Sequence, residues 1–197
     1  MSIIIIDNYD SFTYNIVQQV KQISGQEVTT IFNDQITFEQ LKAKRPNGVV
    51  LSPGPGHPSK SRDFGICAEI IERKDELDCP ILGICLGHQG IAFKLGGSIE
   101  LAEEVVHGKT SELDCVAESK LFKGLPRSFS AMRYHSLVVS RNSLPESLKV
   151  TAVDRKTNQI MAIEHRDSPL FGLQFHPESI GTTCGADIMR NFSELCM

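Results

Sequence analysis

The pentapeptide Gly83-Ile84-Cys85-Leu86-Gly87 constrains the fold of this 197-residue chain more strongly than any other segment. It ends an apolar run, residues 80–84, that is typical of a short buried strand, and it leads into residues 87–95, which can form a helix. A nucleophile flanked by glycines between a strand and a helix is typical of a sharp turn that exposes one reactive side chain. Cys85 is therefore the candidate nucleophile, and the helix N-terminus favours its thiolate form. The alternative is a buried cysteine whose glycines serve only as turn and cap.

A histidine and a carboxylate near the end of the chain, His176 and Glu178, are candidates to act with Cys85. In extended backbone their spacing of two residues places both side chains on one side, and Pro177 favours extended backbone at this point. A cysteine nucleophile needs a base, and the base needs a partner that fixes its tautomer. The pattern predicts a Cys-His-Glu triad, although His-Pro-Glu alone is more typical of a surface turn.

A loop rich in proline and glycine, residues 52–58, follows the apolar run at residues 48–51. Its glycines leave backbone N–H groups open to approach. One of them, together with the Leu86 N–H, could stabilise the oxyanion that forms when Cys85 attacks an amide. Such a donor typically lowers the barrier by about 3 kcal/mol. The alternative is a loop that only connects two elements.

Strands alternate with helices in the first half of the chain, and the second half is rich in strands, which predicts an α/β protein. We expect one domain, residues 1–197, with a mostly parallel or mixed central sheet flanked by helices. Helix 11–23 should stop at Gly25, and Thr37 to Gln40 has the spacing of a capping box. Further helices are predicted at residues 63–72, 87–95 and 186–195. Strands are predicted at residues 3–6, 28–32, 48–51, 80–84, 98–106, 113–116, 129–132, 148–153, 160–164 and 171–175.

Composition excludes several classes of function. A net charge of −4 gives no electrostatic reason to bind nucleic acid. The first residues have no basic segment of the kind that begins a signal peptide, and the apolar runs are too short to span a membrane. The cysteines are scattered without C-x-x-C spacing, which predicts reduced thiols and a cytoplasmic protein. The histidines are scattered as well, so we expect no metal and no organic cofactor.

Three motifs together resemble the class I, triad-type glutamine amidotransferases. They are S-P-G-P-G at residues 52–56, G-I-C-L-G-H-Q at residues 83–89 and F-H-P-E-S at residues 175–179. Their order and spacing agree with the family, and the resemblance runs from residue 1 to about residue 195. Segments at residues 5–13, 107–111 and 133–139 are similar to the small glutaminase subunits of anthranilate synthase and of aminodeoxychorismate (para-aminobenzoate) synthase. The resemblance implies an α/β, flavodoxin-like fold.

The resemblance also implies which residues form the site. Cys85 is the nucleophile, His176 the base and Glu178 the partner of the base. The residues expected to bind the substrate glutamine are Gly54, Gly56, Leu86, Gln89, Ser136 and Leu137.

The positions of these binding residues have a simple chemical interpretation. Gln89 follows Cys85 by one helical turn on the same face, so that it can reach a polar group of the substrate. Ser136 and Leu137 are predicted in a short break between strands, where their backbone groups can meet the ends of glutamine. His88 and His135 lie outside the triad, and they are predicted either to be structural or to support residues of the site.

The implied reaction is hydrolysis of L-glutamine to glutamate through a γ-glutamyl thioester on Cys85. The ammonia would pass to a partner subunit that binds chorismate, because the chain has no room for a synthase domain. That partner would also control the glutaminase by completing the site. The segments at residues 106–111 and 177–182 favour the para-aminobenzoate branch over the anthranilate branch.

Three alternatives remain open at this point. The first is a glutamine amidotransferase for another acceptor, such as the enzymes that make GMP, carbamoyl phosphate or imidazole glycerol phosphate. The second is a stand-alone cysteine peptidase or γ-glutamyl hydrolase. The third is a non-catalytic binding subunit of flavodoxin-like shape.

Overall fold

The computed structural model describes residues 2–197, apart from the side chains at 103–105. The strands, in chain order, are β1 Ser2–Asp7, β2 Glu27–Phe32, β3 Gly48–Leu51, β4 Ile81–Ile84, β5 Ile99–Cys115, β6 Ser128–Val139, β7 Leu148–Asp154, β8 Ile160–His165 and β9 Leu170–Leu173. The helices are α1 Thr13–Ser24, α2 Phe38–Ala43, α3 Ser61–Phe64, α4 Cys67–Glu72, α5 Leu86–Lys94 and α6 Gly185–Leu195. None of the helices in this described part is long and apolar enough to cross a membrane.

All the strands belong to one mixed sheet, in the order β2-β1-β3-β4-β9-β8-β7-β5-β6. The four pairings from β2 to β9 in that order are parallel, and the remaining pairings are antiparallel. The prediction of an α/β fold with a mixed sheet and a second half rich in strands is therefore confirmed. Because parallel strands end at the same edge, the segments that follow β1, β3, β4 and β9 meet there.

Two apolar layers enclose the parallel half of the sheet. Successive side chains of β1 alternate between them, so that Ile3 and Ile5 pack into one layer and Ile4 and Ile6 into the other. Helices α1 and α6 cover the first layer, and α2, α4 and α5 cover the second. Burial on both faces explains why β1 is an unbroken apolar run and not an alternating one.

Two local predictions of helix ends agree with the structure. Gly25 ends α1 in the left-handed conformation, with φ of 62°, and its N–H donates to the Lys21 carbonyl. At the start of α2, the Thr37 hydroxyl accepts from the Gln40 N–H, and the Gln40 side chain accepts from the Thr37 N–H. This is the predicted capping box.

The predicted helix at residues 63–72 is wrong. The chain forms two short helices, α3 and α4, separated at Gly65, which has φ of 44°. A Cβ at Gly65 would lie 2.3 Å from the Asn33 carbonyl oxygen, and the Ile66 N–H donates to that same oxygen. The helix is therefore interrupted by contact with the segment after β2. The apolar periodicity of residues 63–72 could not predict this contact, because Asn33 lies far away in the sequence.

Three predicted strands in the second half, at residues 98–106, 113–116 and 129–132, are too short. Residues 98–106 and 113–116 lie almost entirely in a single strand, β5, which pairs along most of its length with an equally continuous β6. The predicted break at Ser136 and Leu137 is therefore wrong, since both residues lie within β6. The pairing register instead shifts on the facing strand, between Leu101 and Val106. Ser136 lies opposite this irregularity, between the paired residues His135 and Leu137.

Removing the Thr37 hydroxyl should destabilise the protein without altering its core. We expect Thr37→Ala to lower the free energy of unfolding by about 1 kcal/mol, because the Gln40 N–H loses its acceptor. Thr37→Ser keeps the hydroxyl and is the matched control, with a change below about 0.5 kcal/mol. Urea denaturation of both variants checks the prediction, and equal unfolding midpoints would contradict it.

Candidate active site

Cys85 lies at a strained turn between β4 and α5, as the pentapeptide predicts. Its φ of 51° and ψ of −97° are unusual for a residue with a side chain. The turn is held because the Cys85 N–H donates to the Leu173 carbonyl at 2.7 Å and the Cys85 carbonyl accepts the Gln89 N–H. A Cβ at Gly83 would lie 2.5 Å from the Gly87 carbonyl carbon, so only glycine allows this close crossing of the backbone.

His176 and Glu178 form a short hydrogen bond in the segment that follows β9. The His176 Nδ1 and Glu178 Oε1 atoms are 2.6 Å apart, and both side chains are buried. The His176 backbone is fixed as well, because its N–H donates to the Met132 carbonyl of β6 and its carbonyl accepts from the Thr182 hydroxyl. His176 and Glu178 do lie on one side, but the backbone between them is a turn and not the expected extended segment, since the Ser179 N–H donates to the His176 carbonyl.

The electrostatics of His176 link it to Cys85. Burial opposes protonation, but the Cys85 sulfur and the Glu178 carboxylate outweigh burial and raise the pKa of His176 to about 10. Nδ1 forms a hydrogen bond with Glu178. The buried Nε2 forms no geometrically complete hydrogen bond with any of the described residues. Nε2 is therefore the nitrogen that can exchange a proton with Cys85. A protonated imidazole beside the sulfur favours the thiolate.

Aromatic rings close the space around His176. Tyr134 lies edge-on at 5.0 Å between ring centroids and Phe12 at 6.2 Å, and these two rings stack on each other. Asp10, in the segment after β1, has its pKa raised mainly by burial, and it interacts electrostatically with His176 and Glu178. Cys85 is 8% exposed and His176 is 2% exposed. The site is almost closed to solvent.

The proline- and glycine-rich loop reaches the turn at Leu86. A Cβ at Gly54 would lie 2.6 Å from the Asn8 Cβ and 3.0 Å from the Leu86 Cδ2, so the loop packs directly on the residue after Cys85. Asn8 fixes the loop, since its N–H donates to the Ser52 hydroxyl and its side-chain amide donates to the Ser52 carbonyl. Gly56 lies on the exposed outer part of the loop, with φ of 94°.

Gln89 and Leu137 are brought together, although they are 48 residues apart. Gln89 Nε2 donates to the Leu137 carbonyl at 3.0 Å, and it also donates to Gln174 Oε1 at 3.2 Å. Gln174 Nε2 in turn donates to the Cys85 sulfur at 3.7 Å. Ser136 is exposed next to Leu137. Among the described residues, no group of three or more His, Cys, Asp or Glu side chains could hold a metal ion.

Comparison with known proteins identifies the family of this chain. Residues 4–195 match the model of "Glutamine amidotransferase class-I". The chain belongs to the class I glutamine amidotransferases. It is 46% identical to "Anthranilate synthase component 2" of Methanothermobacter marburgensis, covering 96% of each chain. It is 44% identical to "Aminodeoxychorismate/anthranilate synthase component 2" of Bacillus subtilis, covering 98% of this chain and 95% of the relative.

A solved structure supports the same family assignment at the level of the fold. The chain superposes with a TM-score of 0.86 on a protein of Thermoplasma acidophilum that is described as part of a GMP synthase. The sequences are 26% identical, and the alignment covers 100% of this chain and 94% of that one.

Two polar residues of this amidotransferase site, Asn8 and Gln174, are not predicted from the sequence. Asn8 lies within residues 5–13 and Gln174 directly precedes the F-H-P-E-S motif, but the motifs alone give neither residue a role. Their position next to motif residues was the available signal. Their contacts with Ser52 and Cys85, however, join segments 44 and 89 residues apart, which a linear pattern does not reveal.

His88 and His135 are buried, and neither touches the triad by a hydrogen bond among the described residues. Burial lowers the pKa of His88 to about 3, and burial together with Arg133 lowers the pKa of His135 to about 3. Both side chains are therefore neutral in the folded protein at neutral pH. His88 packs against Gly172 of β9, where a Cβ would lie 2.8 Å from its Nδ1.

The buried neutral His88 should make the protein sensitive to acid. Its folded pKa of about 3 lies below the ordinary value of 6.5, so the unfolded state binds the proton first as the pH falls. The contribution of His88 to stability is complete above pH 6.5 and is lost toward pH 3. Between pH 7.5 and pH 5 we expect wild type to lose about 2 kcal/mol more than His88→Leu.

Urea denaturation at a series of pH values measures this difference. The stabilities of wild type and His88→Leu should run parallel above about pH 7, which serves as the internal control. Equal losses of stability below pH 6.5 would contradict the assignment of a buried neutral His88.

Proposed function

We propose that this chain is the glutaminase component of a chorismate-aminating synthase, and that residues 1–197 act as one glutamine amidotransferase domain in the cytoplasm. The chain hydrolyses L-glutamine and delivers ammonia to a partner subunit that makes aminodeoxychorismate, anthranilate or both. The observation that carries the proposal is the 2.6 Å His176–Glu178 pair set beside Cys85 at the strained turn. The names of the two relatives include both products, so the preference for the para-aminobenzoate branch stays a prediction.

Attack by Cys85 is the first step. The thiolate, favoured by His176 and by the N-terminus of α5, adds to the side-chain amide carbon of glutamine. The C–N bond then breaks as His176 gives a proton to the departing nitrogen, so that ammonia leaves and a γ-glutamyl thioester remains on Cys85. Glu178 holds the Nδ1 proton of His176 and thereby directs Nε2 to this transfer.

Hydrolysis of the thioester regenerates the enzyme. His176, now neutral, takes a proton from water through Nε2, and the resulting hydroxide equivalent adds to the thioester carbon. The C–S bond breaks, glutamate leaves, and the sulfur and imidazole return to their starting state. In both steps the developing oxyanion lies next to the start of α5. The Leu86 N–H and a backbone N–H of the Gly54 loop are its proposed donors.

The orientation of Gln89 indicates how glutamine is held. Both hydrogens of Gln89 Nε2 are used, one by the Leu137 carbonyl and one by Gln174. The carbonyl oxygen of Gln89 is therefore the atom that remains to accept a hydrogen bond from the substrate. Exposed Ser136 and the backbone of Leu137 would border the same ligand, and Gly56 would border the entrance through the loop.

A synthase partner is needed for chemical and structural reasons. Ammonia released into water becomes protonated and stops being a nucleophile, so it has to pass through a protected path. The site is also nearly closed, with Cys85 and His176 less than a tenth exposed, and glutamine needs an opening movement to enter. The proposed partner holds chorismate, and its docking would couple this opening to the presence of acceptor.

The alternatives are less well supported. The fold is shared with a protein described as part of a GMP synthase, but the relatives at 44–46% identity carry the names of chorismate-using synthases. Both of these relatives are named as components of a synthase, and neither is named as a stand-alone hydrolase.

Replacement of the nucleophile should separate the two halves of the reaction. We expect Cys85→Ser to lower glutamine-dependent product formation by at least about 1,000-fold in the presence of the partner synthase. Added ammonium salt should restore product, because the chorismate-using site is intact. Cys115→Ser, at the end of β5 in the antiparallel half of the sheet, is the matched control. Glutamine-dependent activity retained in Cys85→Ser would remove Cys85 from the mechanism.

Dependence on the partner is tested by measuring glutaminase activity with and without the chorismate-binding subunit. The isolated chain should release ammonia from glutamine slowly, and addition of the chorismate-binding subunit should raise kcat by at least about tenfold, because docking favours the open, competent site. Mass spectrometry of the aminated product then distinguishes aminodeoxychorismate from anthranilate. Full glutaminase activity of the chain alone would favour an independent hydrolase.

A further inference from the structure

Gln174 connects the substrate-binding side of the site to the nucleophile. Its side chain is fully buried between two polar partners. Gln174 Oε1 accepts from Gln89 Nε2 at 3.2 Å, and Gln174 Nε2 lies 3.7 Å from the Cys85 sulfur. Gln174 takes part in none of the proposed chemical steps. A buried amide whose oxygen and nitrogen are both hydrogen-bonded to residues of the site nevertheless restricts the positions of those two residues.

The direction of these hydrogen bonds is fixed by chemistry. The Leu137 backbone carbonyl can only accept, so the Gln89 atom that is 3.0 Å away is the nitrogen. The second hydrogen of that nitrogen needs an acceptor, so the Gln174 atom facing it is the oxygen. The remaining end of Gln174, which faces Cys85, is therefore its NH₂ group. The Leu137 carbonyl on β6 therefore determines that an N–H group of Gln174, and not its oxygen, faces the Cys85 sulfur.

The Leu137 carbonyl is itself anchored by buried charge. His135 Nδ1 lies 3.0 Å from it and must donate, which leaves His135 Nε2 to accept from Arg133 Nε at 3.0 Å. Arg133 forms a buried ion pair with Asp154 at 2.7 Å. The Leu137 carbonyl is therefore held by two donors, Gln89 and His135. The direction of the hydrogen bonds that run from Leu137 through Gln89 to Gln174, called the relay below, is set without substrate.

We propose that Gln174 is a positioning residue for Cys85: its NH₂ group, oriented by the relay from Leu137 through Gln89, holds the sulfur and stabilises the thiolate. This inference rests on the proposed function of Cys85 as nucleophile. A hydrogen bond to an anionic acceptor is stronger than a hydrogen bond to a neutral acceptor. The N–H contact therefore favours the ionised form of the sulfur. Gln174 does not touch the reacting carbon and exchanges no proton.

Other titratable groups near the Cys85 sulfur also influence its reactivity, and they are the same in wild type and in the variants. His176 and Glu178 belong to the triad, and Asp10 interacts with them from the segment after β1. Burial keeps His88 and His135 neutral above about pH 5, since it lowers the pKa of each to about 3. None of these side chains is altered in the variants at Gln174.

The test is the rate of Cys85 alkylation by iodoacetamide between about pH 6 and pH 10, measured on the Cys85 peptide by mass spectrometry. Iodoacetamide needs neither glutamine nor the partner, so the result is independent of whether the glutaminase proposal holds. Gln174→Met keeps the side-chain length and removes the donor. We expect it to react about tenfold more slowly at pH 7, because the sulfur has lost a donor that favours its ionised form, and to approach the wild-type rate at the alkaline end of this range.

Gln174→Glu should slow alkylation at about pH 7 further, because a carboxylate next to the sulfur disfavours the thiolate. Gln18→Met, at an exposed position of α1, is the matched control and should react at the wild-type rate. A wild-type rate in Gln174→Met at neutral pH would overturn the proposal. So would an equal slowing at every pH, because that result indicates a distorted site.

Thermal unfolding followed by circular dichroism establishes that the variants are folded. If Gln174→Met does not fold, Gln89→Met breaks the same relay one step earlier and is expected to slow alkylation about threefold at pH 7, with recovery at high pH. An unchanged rate in Gln89→Met would then overturn the proposal.

Discussion

Parallel pairing of β1, β3, β4 and β9 is the constraint on which the rest of the structure depends. Because these strands point the same way, the segments after them meet at one edge of the sheet. One segment contains Asn8, one the loop with Gly54, one Cys85 and one His176. Each contribution is short and stiff, so the site is built from strand ends and not from flexible connections. The antiparallel half adds β6, whose carbonyls at Met132 and Leu137 fix His176 and Gln89 from the opposite side.

Two features of this arrangement serve ammonia chemistry. Strain at Cys85 and close packing at Gly83 hold the sulfur at the start of α5, where the backbone favours an anion. Burial of His176 and Glu178 excludes water from the short hydrogen bond between them. The same burial leaves Cys85 8% exposed and His176 2% exposed, so the two groups are shielded from solvent.

Features encoded by short-range rules could be predicted from the sequence. The turn around Cys85, the capping box at Thr37 and the stop at Gly25 each depend on residues within one or two turns of chain. Gly54 also comes next to Leu86, and His176 next to Cys85, because their motifs follow parallel strands that end at one edge of the sheet. The errors have a common cause. Gly65 divides a predicted helix through contact with Asn33, and Ser136 lies within a strand because β5 pairs along it.

The sequence by itself determined the candidate reactive groups, the alternation of strands and helices in the first half of the chain, and the family, since these follow from residue type and local spacing. Only the tertiary structure decided which polar groups act on one another. The orientation of Gln174 toward Cys85 depends on a carbonyl at Leu137 and on a buried pair between Arg133 and Asp154. These groups are distant in the chain and adjacent in the fold. Each hydrogen bond in this chain fixes which atom of the next side chain donates and which accepts. That dependence follows contacts in the folded protein, so a pattern in the sequence cannot predict it.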